Sequence, residues 1–573
     1  MPDLSQTQPF AFTCEGGLVK SKSTFIMQPG QALELLNFEP DIGGGYRRIN
    51  GFRKHINHIV PQTSASSEKV SMVAFFNNNV LAARGEKIFS SASTELSLKI
   101  LQATGMTGSG TITVDSTSGF SSSGTLQINS EIFAYTGKTS TTFTGVTRAT
   151  SSTSAAAHAV DDAVSESWTE RDTGRTNASK YSFERYNFDG NEKIIVVDGV
   201  NDPTVFNTSF SATDVTESSV EGAKFVTAFK NHMFYAGMAS TPQELVFSVP
   251  FDEDAFNSGS GGGSIKVDDT IVGMKAFRGD LFVFCENRIF KLSGTSSSDF
   301  AITPVTRNIG CVNGDTIQEF AGDLIFLGPD GLRTVAGTAR IGDVELGTIS
   351  ANVQSIFDDN LVDSALFESI VIPDKTQYRI FFSKTGTSED STKGVICVMK
   401  GQTFEFSELR GIKPSATDTF VEEGNVLVLH GGFDGYIHRQ EKGDDFDGTS
   451  ISGRYRSPDL TFNDPGIRKH MQRVILNYEP ESAINADMFV RYDYEDKNSA
   501  RPAAYPLDST DVVAIYGTSV YGTPTYGGTS QPLVRQPVEG SGFAVALRVN
   551  DNATTAPYSL KGFGLEYQVG ARR

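Results

Sequence analysis

The sequence predicts an all-β protein: a β-propeller of about six to eight blades, a small inserted β-module and a C-terminal β-sandwich. Three observations carry this. An apolar phrase recurs at intervals of roughly 40–50 residues. A Ser/Thr/Gly-rich stretch of a different texture interrupts the series after its first copy. Strict two-residue alternation then replaces the phrase near the C-terminus.

Clear copies of the phrase run over Met72–Phe89, Val226–Gly237, Met274–Leu292, Gln318–Val335 and Phe420–Arg439. Weaker ones run over Tyr181–Phe206 and Glu368–Phe382. Each is an apolar run, a turn of Asn, Gly or Asp, and a second apolar run. Those turn residues tolerate the positive φ that a tight hairpin requires. Strands at this period without helices between them are the mark of propeller blades.

The boundaries follow in chain order. Residues 1–65 form an N-terminal β segment, an assembly arm, and 66–95 the first blade. Residues 96–168 form the inserted module, in which Thr125–Tyr135 alternates as a half-buried strand does. Residues 169–445 hold the remaining blades and 446–573 the sandwich. There Phe543, Val545, Leu547 and Val549 form one apolar stripe, Phe563, Leu565, Tyr567 and Val569 a second, and Met488, Val490, Tyr492 and Tyr494 a third. Strands with one apolar face bury it against another sheet. One helix is predicted, over Ala351–Ser369, with Ser350 as N-cap. Tyr516–Gly528, with tyrosines between glycines, reads as an extended arm.

The 573 residues carry a net charge of −19. So acidic a surface argues against a chain that grips nucleic-acid phosphate, which needs clustered Lys and Arg. Cys14, Cys285, Cys311 and Cys397 lie far apart, without a CxxC pair, and read as buried free thiols of a reducing compartment. No apolar run reaches the roughly 20 residues that cross a bilayer, and the first residues lack a signal-peptide pattern. The chain therefore reads as a protein made in the cytoplasm with no membrane insertion of its own.

The catalytic motifs with known mechanics are missing: no P-loop, no HExxH and no GxSxG. His55 and His58 have no Cys or carboxylate beside them to complete a metal shell. His430 and His438 flank a turn and are placed to face each other across a hairpin. The acidic runs Asp252–Asp254 and Asp444–Asp447 lack EF-hand spacing. No catalytic, cofactor or metal residue is assigned. Two basic groups stand out as candidate assembly contacts: Gly43, Gly44, Gly45, Tyr46, Arg47 and Arg48, and Arg468 with Lys469.

Three stretches together resemble a known family. LELLNFEPDIGGGYRRINGF (33–52), YRSPDLTFNDPGIRKHMQRVILNYEP (455–480) and SLKGFGLEYQVGARR (559–573) are similar to the terminal regions of tail nozzle proteins of short-tailed bacteriophages, also called tail tubular protein B or head–tail stabilisation proteins. The insert looks like a small β-module of phage virion proteins. The resemblance implies a structural, non-enzymatic virion protein. It implies a homohexamer around a DNA conduit, closed before infection and opened for ejection. It further implies docking to portal and adaptor proteins above and to fibres or spikes at the side, with DNA passing through the lumen unbound. A glycan-binding or glycan-degrading propeller of a virion surface is the alternative.

Overall fold

All seven phrases fold as antiparallel hairpins in the computed structural model. The structure describes residues 7–56, 58–61, 68–92, 98–99, 110–118, 120, 122–129, 131–150, 153–188, 190–335, 348–361, 366–384, 391–422, 424–481, 484–507 and 533–572. The Tyr516–Gly528 arm lies outside them. The hairpin turns use the expected chemistry. Asn77–Asn78, Lys230–Asn231, Arg278–Gly279 and Ala321–Gly322 each put two successive residues at positive φ. Two positive φ values in a two-residue loop are those of the turn whose twist matches its flanking strands.

The chain divides into two compact units. One comprises Lys54–Gly314 and Pro414–Arg439. Among the described residues, its antiparallel four-stranded sheets include Met72–Phe76 to Lys87–Ala92 with Thr169–Asp172; Ser182–Asp214; Phe225–Lys266; and Ile271–Thr306. Another contains Pro414–Glu422, Asn425–Gly432 and Ile437–Gln440. Their first strands stand side by side in the order Pro414–Glu422, Met72–Phe76, Ser182–Phe188, Phe225–Phe229, Ile271–Phe277. The three inner sheets of this row are thus covered on both faces. Val73, Phe75, Val80 and Ala82 pack against Ala416 and Leu429. The alternate residues Met72, Ala74, Phe76 and Leu81 pack against Ile194, Val196 and Phe206. Burial on both faces explains why the phrases read as continuous apolar runs rather than alternating ones.

The insert sits inside a sheet. Strand Thr169–Asp172, beyond the module, pairs with Lys87–Ala92, before it. The residues at 169–172 therefore complete the first sheet, past the boundary at 168 set from texture. The module has its own core, with Ile112, Leu126, Phe133, Tyr135, Phe143 and Val164. Residues 257–264, rich in Gly and Ser, end in strand Gly263–Lys266 on the edge of its sheet.

The second unit comprises Met1–Arg53, Asp315–Lys413 and Gln440–Arg573. A seven-stranded sheet runs in the order Phe38–Pro40, Tyr46–Arg48, Tyr558–Arg572, Ile467–Pro480, Leu533–Pro537, with Thr7–Thr13 also on Tyr558–Arg572 and Ser541–Gly542 on Ile467–Pro480. A nine-stranded sheet runs Leu366–Ile372, Gln377–Ser383, Thr392–Lys400, Thr403–Leu409, Glu34–Leu36, Ile451–Arg456, Val545–Ala553, Ala486–Tyr492, Tyr505–Pro506. One apolar cluster joins both: Leu35, Tyr455, Met488 and Val549 from the second sheet meet Leu476, Phe563 and Leu565 from the first. The N-terminal segment is woven into these sheets, whereas the sequence boundaries at 65 and 445 set it apart from the C-terminal residues.

Two local expectations need correction. Among the described residues the helix covers Gln354–Leu361, after a turn of 3-10 helix at Ala351–Val353. Leu366–Ile372 is a strand, paired along its length with Gln377–Ser383. The Ser350 side chain does not cap the helix; its Oγ accepts from the Leu332 amide at 3.0 Å. The apolar spacing at 353, 356, 357, 361 and 366 ran two elements together. Tyr494 also leaves its stripe: the strand ends at Tyr492, and Asp493, Tyr494 and Glu495 all take positive φ, which leaves the Tyr494 ring 47% exposed.

All four cysteines are buried free thiols. Burial pushes the Cys14 and Cys285 thiols up to about 12, which keeps them protonated and unreactive.

Candidate functional site

The residues picked out as assembly contacts divide into buried and solvent-facing ones. Gly45 lies at φ +95°, where a Cβ would stand 2.6 Å from the Leu560 carbonyl oxygen, so glycine lets the 41–48 hairpin lie against the last long strand. Tyr46 is buried; its hydroxyl donates to the Gly30 carbonyl at 2.7 Å and accepts from the Gly17 amide at 3.0 Å. Arg48 is fully buried and its Nη1 meets Asp551 at 2.9 Å and the Ala553 carbonyl at 3.1 Å. Arg47 forks onto Glu481 at 2.6 and 2.9 Å and reaches Glu39 at 3.2 Å. Lys469 is buried, donating to the Asp464 carbonyl and, at 2.9 Å, to that of Phe543. Burial brings its ammonium down to about 8. Gly43 and Arg468 face solvent, with Arg468 Nε on Ser541 Oγ at 3.0 Å.

The Arg47 network continues inward. Glu39 also accepts from Lys375 at 2.6 Å, Gln377 at 3.0 Å and Arg379 at 3.3 Å. Glu441 faces Arg379 at 2.6 Å and Asn50 at 3.2 Å, and also binds Lys375. Burial would raise Glu441, but Arg379 and Lys375 outweigh it and hold the carboxyl at about 2. Two carboxylates between two shared cations make a charge-balanced strut.

In the unit of fanned sheets, a charged row crosses the first strands. Asp418 accepts from the Phe75 amide at 2.7 Å and pairs with Arg185, whose Nε donates to the Phe75 carbonyl at 2.6 Å. The guanidinium lies 5.0 Å from the Phe183 ring centroid and 5.3 Å from that of Phe420. Phe420 in turn packs on Phe75 with centroids 4.6 Å apart. Burial raises both Asp418 and Glu184. Arg185 opposes the shift at Asp418, and Lys275 with the Ala228 amide opposes it at Glu184. Carboxyls with raised proton affinity are what an acid catalyst needs, but Asp418 is already engaged on both sides. The row ties neighbouring first strands together.

His430 and His438 are register partners across their hairpin, rings stacked at 5.0 Å. Burial, then the charge of His438, holds His430 well below its usual value, and burial takes His58 down to about 4. A buried neutral histidine stabilises the fold fully only above the unfolded value near 6.5, and that stability falls as pH drops toward about 4. The expected slope is about 1.4 kcal/mol per pH unit for each such histidine. The single tryptophan reports on this place, because Trp168 Nε1 donates to the His58 carbonyl at 3.2 Å. The melting midpoint followed by tryptophan fluorescence should therefore fall clearly between pH 7.5 and pH 5. An unchanged midpoint would mean that these rings charge freely in the fold. Among the described residues, no group of three or more His, Cys, Asp or Glu side chains is placed to hold a metal ion, and no helix is long and apolar enough to cross a membrane.

A feature the sequence reading missed lies on the nine-stranded sheet. Strands Ile451–Arg456, Val545–Ala553 and Ala486–Tyr492 bury alternate residues and turn Arg454, Arg456, Arg548 and Arg491 to the other face. The signal was the same period-2 pattern that gave the apolar stripes, read for the residues between them.

No family model matches the chain, and no curated protein matches it. Among solved structures it is similar to Hsv2 of Kluyveromyces lactis, at TM-score 0.28 and 8% identity over 60% of this chain and 98% of that one. It is also similar to an exo-β-1,3-galactanase of Phanerochaete chrysosporium bound to galactose, at TM-score 0.22 and 11% identity over 78% of this chain and 97% of that one. Likenesses this slight carry no role across.

Proposed function

We propose that this chain is a structural subunit of a short-tailed phage virion, the tail nozzle, and that its fanned four-stranded sheets are blades of a β-propeller. On this reading six copies ring a conduit that is closed before infection and opened for DNA ejection. The ring docks to portal and adaptor proteins on one side and carries fibres or spikes at its flank. DNA passes without specific binding.

One observation carries the reading. The three stretches that resemble the nozzle family are far apart in sequence, yet their strands Phe38–Pro40, Tyr46–Arg48, Ile467–Pro480 and Tyr558–Arg572 are consecutive neighbours in one sheet. Segments that fold as one module are the natural carriers of a shared architecture. The charge of −19 supports a wall that DNA slides past.

Single-particle electron microscopy of the purified chain, alone and with a portal–adaptor complex, tests this. A sixfold ring with a central channel is the expected result. A monomer under both conditions would sink the nozzle reading. The second reading, a glycan-binding or glycan-degrading propeller, draws on the raised carboxyls of Glu184 and Asp418. It ranks lower because Arg185 and the Phe75 amide already occupy Asp418.

A further inference from the structure

The arginines on the nine-stranded sheet form a lattice. Strand register sets Arg454 beside Asn550 and Asn550 beside Asp487; in the next row Arg456 lies beside Arg548 and Arg548 beside Phe489. Arg491 follows one row further along its strand. Rows on one face of a sheet are about 7 Å apart along the strand and about 5 Å across it, so four guanidinium groups crowd a small area of a strongly acidic chain.

Their hydrogen bonding is incomplete. The nearest carboxylates stand off: Glu495 is 3.5 Å from Arg456 and 3.7 Å from Arg548, and Glu34 is 3.6 Å from Arg454 and 3.7 Å from Arg548. Those separations are ion pairs without hydrogen bonds. The Nε atoms of Arg456 and Arg548 are shielded from water yet have no acceptor, and Asn550 Oδ1 likewise has no donor. The side chains are 18% and 29% exposed, so the forks are held within the surface rather than waving in solvent. Beside them opens a depression of about 500 Å³ lined by Asn485, Asp487, Asn550 and Asn552, among others.

We propose that this face docks an extended, carboxylate-rich segment of a partner protein. Its side-chain carboxylates would bridge Arg456 and Arg548, and its main chain would be held by the neighbouring asparagine amides. A guanidinium fork matches a carboxylate in two parallel hydrogen bonds. An asparagine amide both donates and accepts, as a peptide backbone requires. Polyphosphate fits less well. Glu34, Glu495 and Asp487 punctuate the face and would repel a continuous line of phosphates, while a peptide can space its charges between them. Glu34 and Glu495 give way easily, because their present pairs lack hydrogen bonds. Glu34 and Arg456 fall within stretches that resemble the nozzle family, but the binding test reads this face alone and does not depend on a ring.

The test uses the full chain and a fluorescein-labelled peptide of alternating Glu and Ala, followed by fluorescence anisotropy at low and high salt. Saturable, salt-sensitive binding is expected. Arg456→Gln with Arg548→Gln should weaken it about tenfold or more. Arg456→Lys with Arg548→Lys keeps the charge but loses the fork, so binding should weaken several-fold in a chain that stays folded. Arg473→Gln, on the other sheet, should change nothing. No saturable binding, or equal binding by the parent and the Lys double variant, would overturn the proposal. So would tighter binding of a labelled single-stranded oligonucleotide of equal charge, which would point to a phosphate partner instead.

Discussion

Arg48→Met should cost about 3–5 kcal/mol, the usual penalty for stranding one partner of a buried ion pair. Both side chains are out of water, at 0% and 1% exposure, and the guanidinium also holds the carbonyls of Ala553 and Thr555. Methionine fills most of the volume but leaves Asp551 as a buried carboxyl facing no cation. Burial already raises that carboxyl, and Arg48 is the main opposing influence. Without it, Asp551 should take up a proton in the folded state. Differential scanning calorimetry should show the loss as a lower transition temperature. The companion variant Arg48→Met with Asp551→Leu should recover a good part of it, because an apolar pair of similar volume avoids the desolvation cost altogether. If the single and double variants melted together, the charge on Asp551 would not be the reason for the loss.

Arg48 also illustrates what the sequence did and did not disclose. The hairpin repeat was legible because turn chemistry is local: a positive-φ pair such as Lys230–Asn231 or Arg278–Gly279 needs no knowledge of the rest of the chain. The C-terminal apolar stripes were legible for the same reason, since Val545, Leu547 and Val549 alternate along one strand. Partners across long separations were not. Nothing near GGGYRR indicates that Tyr46 and Arg48 turn inward to Gly30 and Asp551, or that Lys469 is spent on Phe543. A run of Gly, Tyr and Arg looks the same whether its side chains face solvent or a neighbouring strand. The reading therefore favoured cationic residues that the fold consumes internally. It passed over Arg454, Arg456, Arg491 and Arg548, which lie singly between buried residues and gather only when three strands align. The helix over 351–369 failed differently. Apolar spacing persisted across a change from helix to strand, and only the pairing of Leu366–Ile372 with Gln377–Ser383 marks the break.

Glu131→Ala should open the inserted module while leaving the fanned sheets folded. Glu131 is wholly buried, and five donors converge on it: Arg148 Nε at 2.8 Å, Arg148 Nη2 at 2.6 Å, His158 Nε2 at 2.8 Å, and the Ala156 and Ala149 amides at 2.8 and 3.2 Å. One carboxylate thus pins the long connection between strands Thr142–Val146 and Ala163–Glu166. Alanine leaves a guanidinium, an imidazole and two amides without their shared acceptor, a loss on the order of 3 kcal/mol or more. Amide exchange at Ala149 and Ala156 should then speed up about 100-fold if local opening carries the change. The same carboxylate sets a pH limit. Burial alone would raise it, but Arg148, the Ala156 amide and His158 hold it at about 2. An unfolded glutamate takes its proton near 4.5. The contribution is therefore complete above about 4.5 and is lost as pH falls from there toward about 2. Exchange at Ala156, corrected for its intrinsic pH dependence, should stay protected from pH 7 to about 4.5 and lose protection only below it. Loss of protection already well above pH 4.5 would mean that the Glu131 carboxylate is not the anchor.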